Sequence, residues 1–158
     1  KEENSPPRQR KDRTAEMSRD SSLLRSLREE AVQLESSELL GSAMRSVTQA
    51  SDLSSAIAAV LASRLASPLL EEGGLRRVCE RALRGDPRPG ADMVAILERD
   101  PAAISTLQVL MCLKGFHATQ AHRVAASLWK TGSFEEKHIA LAIQNRVSEL
   151  WAVDVHPA

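Results

Sequence analysis

Of the chain's 158 residues, 42% are hydrophobic but only 3% are aromatic, so its core must be aliphatic, a composition that favours packed helices over sheets. The 21 Lys and Arg residues are balanced by 21 Asp and Glu residues, which leaves no excess positive charge for binding nucleic acid. No apolar run approaches the roughly 20 residues that a membrane span needs, so we expect a soluble chain.

The first part of the chain is polar and charged and contains prolines. Residues 1–22 hold too few apolar side chains to offset the entropy lost on ordering, so they are predicted to form a disordered tail. Apolar residues then recur at helical spacing, with Leu23, Leu27 and Ala31 on one stripe, which predicts a first helix. The neighbouring charged residues, Glu30 among them, are expected to face solvent.

Local signals mark the ends of the helices that follow. Ser51 and Asp52 supply an N-cap for a third helix, which must end before Pro68 because proline cannot continue the hydrogen-bond ladder. Ser133 and Glu136 have the spacing of a capping box and predict the start of the last helix. Between Leu23 and Trp151 the periodicity indicates about eight packed helices, an all-α fold.

The pairs Asp86-Pro87 and Asp100-Pro101 share one signature, a capping carboxylate followed by proline at the first helical position. We therefore predict a helix that begins at Pro101 and buries most of the apolar run over residues 104–113. Capping alone would account for Asp100, whereas the alternative is a carboxylate that receives the ammonium group of a substrate. The spacing leaves both interpretations open.

Cysteine and histidine residues offer no metal site by their spacing. His117 and His122 are five residues apart and point in different directions on a helix, whereas a helical zinc pair uses a separation of four. Both histidines are predicted to be packing or interface residues, and Cys79 and Cys112 are predicted to be buried thiols in a reducing compartment. We expect no bound metal.

The last residues differ from the helices before them. Val153 and Val155 alternate around Asp154, which predicts the stub of a strand on which Asp154 and His156 share one face. These two residues could form an exposed polar edge, or an acid–base pair, or one half of such a pair. No serine or cysteine nucleophile with a base partner accompanies them, so the residues present do not form a self-contained catalytic site.

Several segments together resemble the N-terminal domain of serine acetyltransferase. The resemblance covers about 130 residues, and its most specific segments are Arg99-Asp100-Pro101-Ala102, residues 113–123 (LKGFHATQAHR), residues 141–148 (LAIQNRVS) and residues 153–158 (VDVHPA). One departure from the family is the segment over residues 133–140, which is longer than the family's usual short link.

The resemblance implies a fold, a reaction and two site residues. Residues 23–151 would be the helical oligomerisation domain, and residues 152–158 would begin a truncated left-handed parallel β-helix of hexapeptide repeats. Asp100 matches the family aspartate that contacts the amino group of serine. Asp154 matches the aspartate that orients the catalytic histidine, which in the family lies in a segment beyond Ala158.

The resemblance also implies partners. Acetyl-CoA is the co-substrate of the complete enzyme and binds to the β-helix, so no cofactor is expected on this chain itself. The helical domain would join trimers into hexamers, and a C-terminal tail that is not in this chain would bind O-acetylserine sulfhydrylase.

Two functions follow as hypotheses. In the first, the chain is the N-terminal part of a serine O-acetyltransferase, which converts acetyl-CoA and L-serine to O-acetylserine in cysteine biosynthesis; the chain serves oligomerisation and supplies part of the serine site. In the second, it is a non-catalytic structural or interaction subunit derived from that domain. A soluble chain in the cytoplasm is expected, or in a plastid or mitochondrion if an N-terminal targeting peptide was removed.

Overall fold

The computed structural model describes residues 7–158, with side chains described for residues 12–158 other than Thr131. The described chain forms eight helices and confirms the predicted all-α fold. These are α1 (Pro7–Val32), α2 (Gly41–Thr48), α3 (Leu53–Leu65), α4 (Glu72–Leu83), α5 (Arg88–Arg99), α6 (Thr106–Cys112), α7 (Lys114–Thr131) and α8 (Phe134–Trp151).

Helix α3 lies at the centre of the fold. It contacts α1, α2, α4, α6, α7 and α8, and Ile57, Leu61 and Leu65 on it are at most 1% exposed. Its start is fixed by a capping box, in which the Asp52 carboxylate accepts from the Ser55 amide at 2.8 Å and the Ser55 hydroxyl accepts from the Asp52 amide at 3.1 Å. The predicted cap is therefore confirmed, and of the two residues offered for it Asp52 is the N-cap.

Helices α7 and α8 form a hairpin joined by two residues. Gly132 adopts the left-handed conformation (φ 82°) that closes α7, and the Ser133 hydroxyl then accepts from the Glu136 amide at 3.1 Å. The Glu136 carboxylate accepts from that same hydroxyl at 3.1 Å instead of the Ser133 amide, so only one half of the predicted capping box is present. The hairpin carries most of the side chains discussed below.

Helix α1 extends further toward the N-terminus than predicted. Residues 7–22 are helical, so the prediction of a disordered tail is wrong over this range, and residues 1–6 lie outside the described part. The helix is anchored by Leu23 and Leu24, each 7% exposed, and by Arg19, which donates to the Pro87 carbonyl at 2.7 Å. Residues that favour the helical conformation then extend α1 from this anchor toward the N-terminus.

Two further predictions about exposure are wrong. Cys79 is buried but Cys112 is exposed, because Cys112 is the last residue of the short α6. Glu30 is half-buried and faces α6, not solvent.

Residues 152–158 contain no strand within the described chain, and the β-helix that would follow them stays a prediction. No helix of the described part is long and apolar enough to span a bilayer.

Candidate functional site

An open groove of about 430 Å³ lies between α5 and the first turns of α7. Its walls combine apolar side chains with charged ones, and eight residues line it: Asp92, Ala95, Ile96, Arg99, Asp100, Gly115, Phe116 and Thr119. The groove is the place where the helical fold brings Asp100 beside the KGF segment that begins α7. It is therefore the candidate ligand site of this domain.

Asp100 lies at the end of α5, not at the start of a helix. Its amide donates to the Ile96 carbonyl at 2.9 Å and closes α5, so the predicted N-cap role is wrong. Its carboxylate oxygen Oδ1 accepts from the Ala102 amide at 2.9 Å, and its carbonyl accepts from the Ala103 amide at 3.0 Å. This turn fixes the position of the carboxylate while the side chain stays exposed.

The predicted helix at Pro101 begins later. Pro101 and Ala102 form a turn, and α6 starts at Thr106 with Ser105 as its N-cap, the Ser105 hydroxyl accepting from the Gln108 amide at 3.1 Å. Proline fixes its own backbone but does not by itself start a helix, and here the turn at Asp100 directs the chain elsewhere. Ile104, predicted to be buried, is 85% exposed as a result.

The charge of Asp100 is not neutralised by a neighbour. Among the described side chains no ion pair involves Asp100 or the adjacent Arg99, and both residues line the groove. The groove thus presents one carboxylate and one guanidinium that remain available to a ligand. Opposite charges side by side suit a zwitterion such as a free amino acid.

Asp92, which also lines this groove, forms a polar network with α7. Its Oδ2 accepts from Gln120 Nε2 at 2.9 Å and from Arg123, and Arg123 also donates to Gln120 Oε1 at 2.7 Å. Burial by itself raises the pKa of the Asp92 carboxyl, but the hydrogen bonds from Arg123 and Gln120 outweigh it and hold the pKa below its ordinary value. Asp92 is therefore ionised, and its hydrogen bonds link α5 to α7.

Asp154 lies elsewhere on the surface and does not line the groove of Asp100. Beyond α8, Val153 and Val155 lie in a small crevice between α7 and α8, and His122 is one of its lining residues. The exposed Asp154 between them accepts from Gln144 Nε2 at 2.7 Å. Among the described residues, Asp154 is thus not one of those that line the groove of Asp100.

His156 does not pair with Asp154. Its ring lies edge-on to Trp129 with the ring centroids 4.8 Å apart, and its Nδ1 accepts from the Ala158 amide at 3.1 Å. Trp129 is in turn covered by the ammonium group of Lys137, 5.4 Å from the ring centroid. The acid–base pair considered for these two residues is therefore not formed here.

His117 is a core residue, as predicted. It is 1% exposed, its Nε2 bonds to the Leu110 carbonyl at 2.6 Å, and its ring lies 5.5 Å from that of Trp151. Burial lowers the pKa of His117, so the ring is neutral near neutral pH. Among the described residues, no group of three or more His, Cys, Asp or Glu side chains could hold a metal ion.

Three contacts of the candidate site residues were not predicted from the sequence. Asp92 bonds to partners 28 and 31 residues away, and Gln144 reaches Asp154 across the end of a helix. The three-residue spacing of Gln120 and Arg123 does indicate one shared face of α7. Nothing in that spacing identifies the carboxylate that they bind.

The fold and the groove together define a class, an all-helical domain that presents an exposed carboxylate between two of its helices. A sequence profile of the family described as "Serine acetyltransferase, N-terminal" matches residues 23–121. The chain belongs to the serine acetyltransferase family and corresponds to the N-terminal part of its members.

Individual relatives agree with this assignment. The chain is 41% identical over 116 residues to serine acetyltransferase 1, chloroplastic, of Arabidopsis thaliana, a match that covers 71% of this chain and 36% of that protein. It is also similar to soybean serine acetyltransferase complexed with serine, with a TM-score of 0.80, 33% identity and coverage of 89% of this chain and 59% of that one. A serine acetyltransferase in complex with CoA gives a TM-score of 0.75 and 33% identity, covering 88% of this chain and 60% of that one. The chain therefore spans less than two thirds of the relatives it matches.

Proposed function

We propose that this chain is the N-terminal part of a serine O-acetyltransferase, in which Asp100 binds the ammonium group of serine. The observation that carries the proposal is the exposed Asp100 carboxylate, fixed by the turn to Ala102 and unpaired among the described side chains, in a groove large enough for an amino acid. A soybean relative solved in complex with serine supports the choice of ligand. The reaction would transfer the acetyl group of acetyl-CoA to the serine hydroxyl.

The role proposed for Asp154 is to orient and charge-stabilise a histidine that acts as the general base. A carboxylate beside an imidazole holds it in the correct tautomer and stabilises the cation that forms when the histidine takes the hydroxyl proton. Asp154 is exposed, and no described cationic side chain forms an ion pair with it, which suits this role. Acetyl-CoA would bind outside residues 7–158, and a relative solved with CoA supports it as the co-substrate.

Assembly and location are proposed on the same family membership. The helical domain would join trimers of the complete enzyme into hexamers, and the complete enzyme would bind O-acetylserine sulfhydrylase through a C-terminal tail. Leu39 is 93% exposed and Ile104 is 85% exposed, and subunit contacts would bury such side chains. A reducing compartment is proposed, in the cytoplasm or in an organelle, and the chloroplastic relative supports the latter.

The test is release of CoA from acetyl-CoA when L-serine is added to the full-length protein. Asp100→Asn should raise the KM for serine about 10- to 100-fold, the effect of losing one charged hydrogen bond. The matched control is Glu98→Gln, which removes an exposed carboxylate that does not line the groove and should leave the KM unchanged. If the wild-type protein releases no CoA but forms stable oligomers, the alternative of a non-catalytic structural subunit replaces the proposal.

A further inference from the structure

Gln144 makes a contact that the family resemblance does not assign. It lies half-buried on α8, two turns before the helix ends, and its Nε2 donates to Asp154 Oδ1 at 2.7 Å. The contact is possible because Ala152 adopts the left-handed conformation (φ 56°, ψ 36°), which stops α8 and turns the chain back over the helix. A side chain on a rigid helix thus reaches the carboxylate that follows it.

This bond restrains one oxygen of Asp154 and leaves the other without a hydrogen bond among the described residues. We infer that Gln144 is a positioning residue for Asp154, holding its Oδ1 so that Oδ2 is directed at the histidine it orients. The inference rests on the proposed acetyltransferase function. It adds to that function a residue that acts through the aspartate and touches neither substrate.

The chemistry of the amide fits this task better than that of a cation. An amide N–H fixes the direction of a carboxylate but carries no net charge, so Asp154 keeps its full charge for the imidazolium that forms in the reaction. An Arg or Lys at position 144 would also hold Asp154 but would weaken its effect on the histidine. Precise support from a helix residue is the arrangement that orientation in a catalytic site requires.

The neighbouring residue provides a matched control. Asn145 is also an amide on α8, and its Nδ2 donates to Glu149 Oε1 at 2.6 Å instead of to Asp154. Asn145→Leu therefore removes one surface amide–carboxylate bond from the same helix turn. Any effect of Gln144→Leu that Asn145→Leu does not share comes from the contact with Asp154.

The experiment measures kcat and both KM values of the full-length protein for Gln144→Leu, Asn145→Leu, Asp154→Asn and the double variant Gln144→Leu/Asp154→Asn. We expect Gln144→Leu to lower kcat about 10- to 100-fold, because a misdirected catalytic group costs rate, with both KM values and the melting temperature unchanged. Asn145→Leu should leave kcat unchanged. In the Asp154→Asn background, Gln144→Leu should have no further effect, because its only route to the reaction is then gone.

The outcomes separate the role of Gln144 from the proposed acetyltransferase function. If the wild-type enzyme is active but Gln144→Leu behaves like Asn145→Leu, or lowers kcat equally in the Asp154→Asn background, Gln144 is not a positioning residue and the proposed function stands. A kcat loss that tracks a lower melting temperature would show a role in folding instead and would also overturn the inference. An inactive wild-type enzyme would remove the proposed function itself.

Discussion

The contact between α1 and α6 and the groove between α5 and α7 both place a carboxylate beside backbone amides, but they use it differently. At the first, Glu30 Oε2 accepts from the Leu107 amide at 2.8 Å, and Oε1 accepts from the Thr106 hydroxyl at 2.6 Å and the Thr106 amide at 3.3 Å. At the second, only one oxygen of Asp100 is bonded among the described residues, to the Ala102 amide. Glu30 has no oxygen left for a ligand, whereas Asp100 does.

The two carboxylates also differ in their exposure to solvent. Glu30 is half-buried, and its hydrogen bonds lower its pKa despite the opposing effect of burial, which is the largest single influence. Asp100 is exposed at the mouth of a groove. A carboxylate whose two oxygens both accept hydrogen bonds thus stabilises the fold, whereas one held by a single donor keeps an oxygen that can bind a ligand.

The largest effect on stability is expected where α1 packs into the hydrophobic core. Leu27 lies on α1 and is 0% exposed, so Leu27→Ala should lower the free energy of unfolding by about 2–5 kcal/mol through lost burial and the cavity left behind. Val32 on the same helix is 57% exposed, and Val32→Ala should change it by less than about 0.5 kcal/mol. Urea titration of the two variants measures both values. Equal losses would mean that α1 is not packed as described.

A smaller loss is expected at the saturated carboxylate. Glu30→Gln removes the charge that the Thr106 and Leu107 donors face, and should cost about 1–3 kcal/mol. Glu29→Gln is the matched control, because Glu29 is the preceding residue and is exposed. Chemical denaturation near neutral pH compares the two. If the variants are equally stable, Glu30 does not hold α6.

The same contribution should disappear in acid. Because the pKa of Glu30 is lower in the folded protein than its ordinary value of 4.5, the unfolded chain binds more protons between the two values. The stabilisation is therefore complete above pH 4.5 and is lost as the pH falls through the folded pKa. The difference in unfolding free energy between wild type and Glu30→Gln should be constant above that pH and shrink below it. A difference that grows in acid would reverse the assigned sign.

The smallest effect on stability is expected at Asp100. Its side chain is exposed, so Asp100→Asn should change the free energy of unfolding by less than about 0.5 kcal/mol while it raises the KM for serine. Denaturation and kinetics on one preparation separate the two quantities. A loss of more than 1 kcal/mol would place Asp100 with Glu30, among the residues that serve the fold.

The helical fold could be predicted from the sequence because its signals are local. The Asp52 cap depends on a residue three positions away, and the apolar stripe of α1 repeats every three or four residues. The same local signals failed where tertiary contacts decide. Asp100 has the sequence of an N-cap but ends α5, and the Pro101 turn that follows leaves Ile104 exposed.

The candidate site could be predicted only in part, for the same reason. Asp100 was predicted as a binding residue through the motif that contains it, and the fold places it in the wall of a groove, while its binding role stays a prediction. Its neighbour Asp92 and the partner of Asp154, Gln144, were not identified, because their contacts join residues 28 and 10 positions apart. No periodicity connects such residues before the chain is folded.

The hydrogen bonds that Glu30 accepts from α6 also have a consequence for the order of folding. Helix α6 has seven residues, fewer than the roughly 12–15 that an isolated helix needs in water. Ser105 satisfies the Gln108 amide locally, but the Thr106 and Leu107 amides find their acceptor in Glu30, 76 and 77 residues earlier. Closing so long a loop is slow, so α6 should gain its helical structure together with the docking of α1, not before it.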